Sequence, residues 1–461
     1  MSSSSHFRLC QERCNRCHAH ACSPFRSGIR NLILSIVRKS KEFGRMQRRN
    51  FLSSLAIGMG AAPGFAAGLQ DFAESLKTAA NETDYWKRVR QEFLLNPGLA
   101  HLNTGSLGAT PRCVLDGIAG MLYQLEGDPV SNVFGPMGYR MDAVRAKAAE
   151  LLGAATDEVA VIENTTSGMN YVAQSLIRSL KPGDEILTTN HEHPGGAVCW
   201  EYLAKYHGAK IVTLTIPVPV RDKAQIVELV QSHISPRTRV CSFSHVDTIT
   251  GMRMPIAEIS AITRPKDIIL VCDGAQAPGM IKVDVKSLGV DTYASSSHKW
   301  MLAPKGSGLL YIRKDMQDTI RPLPLHSGYQ AYTGATGTRN VCNVLGHGLA
   351  MEFHSTIGSQ RVENRCRELS KIMRETLSKN PRLELLTPAQ DDLATGMVSF
   401  KLKKGTAGDL YTRLLKDFEI MIKVVAKSEY NGIRLSTHIY NNEAEIERLA
   451  WAIEKIQSNS A

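Results

Sequence analysis

Two segments, Val271-Cys272-Asp273-Gly274-Ala275-Gln276 and Ser295-Ser296-Ser297-His298-Lys299-Trp300, decide the fold expected for this chain of 461 residues. In the first, a carboxylate follows directly after an apolar run that is typical of a buried strand. In the second, a lysine follows three hydroxyl residues and a histidine. Ligands bind at the carboxyl ends of the strands in an open parallel sheet, so both segments are candidates for one binding site.

Short apolar segments alternate with amphipathic ones on both sides of these motifs. Strands that are apolar throughout and alternate with helices predict an α/β fold with a mostly parallel sheet that is covered on both faces. Strands are predicted at residues 159–162, 185–189, 210–216, 240–245, 268–272 and 307–312, with helices at 168–180, 197–206 and 224–234.

The pattern changes after about Gly346. Helices are predicted at residues 361–378 and 409–418, with strands at 397–402, 420–425 and 433–436. The last helix has Asn442 as its expected N-cap and Glu445 three residues later. We therefore expect an N-terminal arm (68–110), a large domain (111–345) and a smaller C-terminal α+β domain (346–461).

The basic charge of the chain is concentrated at its start. Residues 1–50 carry 11 Lys and Arg against 2 Asp and Glu, which leaves 44 against 42 in the remaining residues. A nearly neutral body does not support a nucleic-acid interface. Arg48 and Arg49 precede an apolar, Gly- and Ala-rich stretch, an order that resembles a twin-arginine export signal.

We predict an export signal at residues 46–67, cleaved after about Ala66 or Ala67 and read by the twin-arginine translocase. Residues 1–45 are then expected to be a non-native or disordered extension. The protein would fold in the cytoplasm and reach the periplasm without a permanent membrane span, because the 19-residue apolar stretch contains four glycines and a proline. Cys10, Cys14, Cys17 and Cys22 also allow a zinc or iron–sulfur site, which we consider the weaker interpretation.

The two opening motifs together resemble the class V, fold-type I pyridoxal-phosphate enzymes, which include cysteine desulfurases and isopenicillin N epimerase-like proteins. The resemblance covers roughly residues 95–455. It implies pyridoxal 5'-phosphate as the cofactor, an amino acid or its derivative as the substrate, and a homodimer with shared active sites. No metal is implied.

The resemblance also implies roles for individual residues. Lys299 would hold the cofactor through a Schiff base and move the α-proton, Asp273 would pair with the pyridine nitrogen, and His193 would stack on the ring. Arg434 would bind the substrate α-carboxylate. The remaining implied cofactor contacts are Thr165, Thr166, Ser296 and His298 at the phosphate, Gln276 and Thr248 near the phenolic oxygen, and Thr338 reaching the phosphate of a neighbouring subunit.

Two departures limit what the resemblance implies, and one alternative interpretation concerns a metal. Cysteine desulfurases carry a sulfur-accepting cysteine shortly before the arginine, whereas residues 424–432 contain none, so the desulfurase reaction is disfavoured. Thr248 stands where many relatives have asparagine. His191 and His193 could pair on a metal, but no third ligand has a suitable spacing. Epimerisation, β-elimination (C–S lysis) and transamination all stay open, with a non-catalytic binding protein as the alternative.

Overall fold

A seven-stranded sheet forms the centre of the fold, with six parallel strands and one antiparallel strand. The structure is a computed structural model that describes residues 63–425 and 427–458. The strand order is β2-β8-β7-β6-β5-β3-β4, and β8 is the antiparallel member. The strands are β2 (Val159–Ile162), β3 (Glu185–Thr189), β4 (Lys210–Leu214), β5 (Thr238–Ser244), β6 (Ile269–Asp273), β7 (Thr292–Ser296) and β8 (Gly308–Ile312), preceded in the chain by the short β1 (Ala100–His101).

Helices connect and cover these strands. Every residue of β2, β3, β7 and β8 is buried, and successive side chains of a strand point to opposite faces, so both faces of the sheet are covered. The helices are α1 (Pro63–Lys77), α2 (Glu82–Gln91), α3 (Arg112–Gly127), α4 (Pro129–Val133), α5 (Pro136–Leu152), α6 (Thr165–Leu176), α7 (Pro194–His207), α8 (Lys223–His233), α9 (Ile256–Thr263), α10 (Val285–Leu288), α11 (Val341–Ile357), α12 (Ser359–Ser378), α13 (Ala407–Phe418) and α14 (Glu443–Ser458).

A second, antiparallel sheet follows in the C-terminal part of the chain. Its strand order is β12-β13-β10-β9, and a separate apolar core fills the space between this sheet and helices α12, α13 and α14. A two-stranded parallel pair, β1 with β11, joins the segment between α2 and α3 to this part. The strands are β9 (Leu383–Leu385), β10 (Met397–Leu402), β11 (Ile420–Met421), β12 (Lys423–Val424) and β13 (Gly432–Ser436).

The predicted α/β fold with a large, mostly parallel sheet is confirmed, and most predicted strands agree within two residues. The strand predicted at 420–425 is wrong as a single strand: β11 pairs with β1, whereas β12 pairs with β13. Asn442 caps α14 as predicted, because its Oδ1 accepts from the Glu445 amide at 3.0 Å. The boundary at 345/346 falls inside α11, and the domain division stays a prediction.

Several predictions concern residues outside the described part of the chain. Residues 1–45, with the cysteines from Cys10 to Cys22, and most of the export signal at 46–67 belong to the segment that the structure does not describe. Helix α1 begins at Pro63 and runs across the predicted cleavage position. In the described residues, no helix is both long and apolar enough to cross a membrane.

Candidate active site

A cavity of about 1100 Å³, called here the central cavity, lies at the carboxyl ends of the parallel strands. Loops that follow β2, β3, β5, β6 and β7 form most of its wall, and β12 and β13 complete it. Ten of the eleven predicted site residues line it: Thr165, Thr166, His193, Thr248, Asp273, Gln276, Ser296, His298, Lys299 and Arg434. Thr338 lies outside the central cavity and lines a smaller one of about 270 Å³.

Asp273 is the last residue of β6, and its carboxylate reaches the cavity between two backbone segments. Its Oδ1 accepts a hydrogen bond from the Ala275 amide at 2.9 Å. A Cβ atom on Gly196 would lie 2.4 Å from Oδ2, so only glycine leaves this oxygen accessible. Burial raises the pKa of Asp273, while the Ala275 amide and the charge of Lys299 oppose that shift. A cationic ring nitrogen in the cavity would stabilise this carboxylate.

Lys299 follows β7, and its burial shifts the ionisation of its side chain toward the neutral amine. Burial lowers the pKa of Lys299 to about 8, Asp273 opposes that shift, and the positive charge of Arg434 adds to it. The segment before α3 packs tightly here, because a Cβ on Gly108 would lie 2.0 Å from the Lys299 carbonyl oxygen. A lysine with a pKa near the operating pH suits nucleophilic and proton-transfer chemistry.

The first turn of α6 meets the end of β7 at one corner of the central cavity. The Asn164 side chain caps α6 by accepting from the Ser167 amide at 2.9 Å, while Ser296 Oγ accepts from the Thr165 amide at 3.0 Å. His298 Nδ1 is buried beside them without a hydrogen-bond partner among the described residues. A helix N-terminus with hydroxyls and an unpartnered imidazole nitrogen is suited to a phosphate group.

Arg434 comes from β13 in the second sheet and closes the opposite part of the cavity. Its Nη1 donates to Thr248 Oγ1 at 2.6 Å and to the Thr248 carbonyl at 3.2 Å. Its Nε is buried and has no hydrogen-bond partner among the described residues. Burial lowers the pKa of Arg434 to about 10. The guanidinium is therefore held in place by a neutral partner and keeps donors for an anionic ligand.

Gln276 and His193 are each fixed by the backbone around them. Gln276 Nε2 donates to the Gly105 carbonyl at 2.8 Å, and its Oε1 accepts from the Trp300 indole at 2.7 Å. One Nε2 hydrogen stays available to a ligand. His193 caps α7 through its Nδ1, which accepts from the Gly195 amide at 3.0 Å. Burial, helped by the charge of Lys299, lowers the pKa of His193, so its ring is neutral.

Glu192 is a cavity residue that the sequence analysis missed. Its Oε1 accepts from Thr189 Oγ1 at 2.8 Å and from the Ser244 amide at 3.3 Å. Burial, together with the nearby charge of Asp273, raises the pKa of Glu192 to about 8, so the side chain is protonated at neutral pH. Its place three positions after the end of β3, in the loop at the carboxyl end of that strand, was a signal that would have found it.

A hydrogen-bonded chain behind the cavity wall was also missed. His191 Nδ1 lies 2.8 Å from Asp247 Oδ2, and its Nε2 lies 2.8 Å from the Tyr430 hydroxyl. Asp247 accepts from the amides of Ile249 and Thr250, so we assign the imidazole proton to Nδ1 and the Tyr430 hydroxyl as the donor to Nε2. Both nitrogens of His191 are therefore occupied by protein groups.

The family model described as "Aminotransferase class-V" matches residues 105–449, which contain every residue that lines the central cavity. The chain belongs to the class V aminotransferase family. It is a pyridoxal-phosphate-dependent enzyme of fold type I, with a large, mostly parallel sheet.

Curated class V relatives fall into two groups. The chain is 34% identical over 392 residues to an isopenicillin N epimerase of Amycolatopsis lactamdurans and 32% identical to that of Streptomyces clavuligerus, each covering 80% of this chain and 98% of the relative. A cysteine desulfurase of Cronobacter sakazakii is 28% identical over 386 residues, covering 78% of this chain and 93% of the relative.

Solved class V structures share this fold. The cysteine desulfurase from Thermococcus onnurineus superposes with a TM-score of 0.72 at 25% identity, covering 81% of this chain and 98% of that one. The cystine C-S lyase C-DES superposes with a TM-score of 0.68 at 24% identity, covering 77% of this chain and 98% of that one.

The residues present fit pyridoxal phosphate. The unpartnered Nδ1 of His298 and the first turn of α6 suit its phosphate, and the Asp273 oxygen left accessible by Gly196 suits its ring nitrogen. The amine of Lys299, whose pKa is lowered to about 8, suits its aldehyde. These assignments to individual residues remain predictions.

Proposed function

We propose that this class V enzyme acts at the α-carbon of an amino acid or an amino-acid derivative, with epimerisation as the favoured reaction. The observation that carries the proposal is that Lys299, Asp273 and Arg434 line one cavity. In this proposal, Arg434 binds the carboxylate and Lys299 transfers the proton of the same bound molecule. The two isopenicillin N epimerases at 34% and 32% identity support epimerisation over the other α-carbon reactions.

Each of these three side chains has a separate task in the proposed reaction. Arg434 binds the α-carboxylate through the donors that Thr248 does not use. Lys299 Nζ removes the α-proton, which a lowered pKa allows near neutral pH. Asp273 holds positive charge on the ring nitrogen, and the cofactor then supplies an electron sink for the negative charge left at the α-carbon.

Persulfide formation is not part of the proposal. Six cysteines lie in the described residues, and five of them are buried. None of these six lines the central cavity. The segment that carries the sulfur acceptor in desulfurases has Tyr430 and Lys427 here and no cysteine. A desulfurase reaction would therefore lack its thiol nucleophile.

Spectroscopy and isotope exchange test the proposal together. The purified enzyme, loaded with pyridoxal phosphate, is titrated with L- and D-amino acids while its visible absorption is recorded. In D₂O, we expect deuterium at the α-carbon and interconversion of the two enantiomers of the best ligand. Release of a 2-oxo acid with ammonia would instead identify β-elimination, and a need for an amino acceptor would identify transamination.

Replacement of the lysine is the decisive variant. Lys299→Ala should lose α-proton exchange by at least about a thousandfold, because the variant lacks the amine that removes the proton. Lys371→Ala is the control, since Lys371 is exposed on α12 and does not line the central cavity. Exchange at the wild-type rate in Lys299→Ala would contradict the proposal.

We also propose, as separate expectations, a homodimer in which Thr338 serves the site of the neighbouring subunit, and export through the twin-arginine route. The position of Thr338 outside the central cavity supports the first, since this residue does not complete the site of its own subunit. The paired arginines at 48 and 49 support the second. Sequencing of the N-terminus of the natural protein tests export: a mature chain that begins near Gly68 is expected.

A further inference from the structure

Lys423 stands directly opposite Arg434 in the second sheet. The two residues are register partners in the antiparallel pair of β12 and β13. Directly opposite residues of such a pair project from the same face, with Cβ atoms roughly 5 Å apart. Both side chains line the central cavity, so two cationic groups are aligned toward the same space.

A third cation, Lys427, lines the cavity from the segment that follows β12. Among the residues that the structure describes, no carboxylate lies within ion-pair distance of the ammonium group of Lys423 or Lys427. Like charges placed directly opposite each other destabilise a strand pair. Repulsion among these cations therefore destabilises the free protein. An anion bound among them offsets that repulsion.

One carboxylate does not use all of this positive charge. An arginine holds a single carboxylate through two parallel hydrogen bonds, and Arg434 has donors left for that purpose. The two lysines are then left for a second anionic group. The central cavity, about 1100 Å³, is slightly larger than the usual range for small-molecule sites, and it has to hold the cofactor together with the substrate.

The other charged groups that line the cavity do not compete for the lysines. Glu192 is neutral at pH 7 because its pKa is about 8, and Asp273 faces Lys299 at the end of β6. Glu201 lines the wall that α7 forms and makes no ion pair with either lysine. The lysines therefore offer their charge to a ligand.

We propose that Lys423 and Lys427 bind a second anionic group of the substrate, remote from its α-carbon. The inference deepens the proposed function and rests on it. The substrate class is then an acidic amino acid, or an amino-acid derivative with a carboxylate at the far end of its side chain. Arg434 holds the α-carboxylate, and the two lysines select the side chain by its charge and length.

Titration of the loaded enzyme with matched ligands tests this assignment. The probes are L-glutamate and L-2-aminoadipate, with L-glutamine and L-norleucine as uncharged partners of similar size, and the dissociation constants come from the change in visible absorption. We expect the wild-type enzyme to bind the better acidic ligand at least about tenfold more tightly than its uncharged partner, with a preference that weakens as salt is added.

Three variants of the lysine pair and one control variant distinguish binding by these lysines from a general effect of charge. Lys423→Gln and Lys427→Gln should each reduce the preference for the acidic ligand by about fivefold to tenfold and leave the binding of L-norleucine unchanged. Lys423→Arg should retain most of the preference. Lys404→Gln removes the same charge from an exposed turn away from the cavity and should change neither constant.

The outcomes distinguish the inference from the proposed function. Spectral changes with equal affinity for acidic and uncharged ligands would overturn the lysine assignment and leave the α-carbon chemistry standing. A preference for acidic ligands that survives both glutamine substitutions would also overturn it. If no amino acid in either enantiomeric form changes the spectrum, the proposed function fails, and the inference fails with it.

Discussion

At the scale of single residues, the ionisation of Lys299 is set by its neighbours. Burial lowers the pKa of its amine to about 8, Asp273 opposes the shift and Arg434 adds to it. Only the neutral amine attacks an aldehyde, so the protonated fraction controls how quickly the protein without cofactor takes up pyridoxal phosphate.

We predict that the rate of cofactor uptake rises with pH and levels off above about pH 8, two units lower than for an ordinary lysine. The sign follows from the lowered pKa: below it the ammonium form predominates and cannot attack. Arg434→Met removes a repelling charge and should move the midpoint to higher pH. Stopped-flow absorption at a series of pH values measures this midpoint. Arg382→Met, at an exposed position, is the control. A midpoint unmoved by Arg434→Met would show that Arg434 does not act on Lys299.

At the scale of structural elements, the segment between β12 and β13 is tied to the large sheet by one side chain. Tyr430 ends the short 3-10 turn Ser428–Tyr430, and its hydroxyl reaches the buried imidazole of His191. His191 is in turn held by Asp247. This hydrogen bond connects the segment that carries Lys427 to the loop that follows β3.

Tyr430→Phe removes the hydroxyl and leaves His191 Nε2 buried without its partner. An unsatisfied buried polar group costs about 1–3 kcal/mol, and we expect the free energy of unfolding to fall by about that amount. Chemical denaturation measures the loss. Tyr411→Phe is the control because no hydrogen bond of the Tyr411 hydroxyl exists in the described structure. Equal free energies of unfolding for Tyr430→Phe and Tyr411→Phe would show that the hydrogen bond between Tyr430 and His191 does not stabilise the protein.

Some parts of the fold and of the site could be predicted from the sequence, and others could not. Asp273 and Lys299 could be predicted because each belongs to a contiguous motif at the end of a strand. The β7 segment Thr292–Ser296 has hydroxyl side chains of Thr or Ser at three of its five positions and is nevertheless buried, since the sheet around it decides its environment. Lys423 could not be predicted as a partner of Arg434, because their register depends on the break between β11 and β12. Likewise, nothing near Tyr430 in sequence indicates His191.

At the scale of the whole molecule, large apolar side chains remain exposed on helices α3 to α5. Tyr123 is 83% exposed and Phe134 is 62% exposed, and the Phe134 ring contacts that of Tyr332, in the loop region that precedes Thr338. An exposed apolar cluster of this kind is typical of a surface that associates with another chain. It supports the proposed homodimer.

We predict that the protein sediments as a dimer and that Tyr123→Asp combined with Phe134→Asp shifts it to a monomer. Charges placed in an apolar interface lose their hydration when the subunits associate, which opposes association. Analytical ultracentrifugation at several concentrations measures the change. Tyr206→Asp alters a residue of similar exposure, 60%, on a different helix and should leave the dimer intact. A monomeric wild-type protein at all concentrations would overturn the prediction.

The pairing of β1 with β11 has a consequence for how the chain is made. Residue 100 leaves the ribosome long before residue 420, so Ala100 and His101 wait for their partner until synthesis is almost complete. The segment after β1 holds Gly105 and Gly108 against Gln276 and Lys299, and it is anchored by that late pairing. We therefore expect that the part of the cavity wall with Gly105 and Gly108 stays unformed in nascent chains until β11 has been synthesised. Cofactor binding should then begin only near the end of translation.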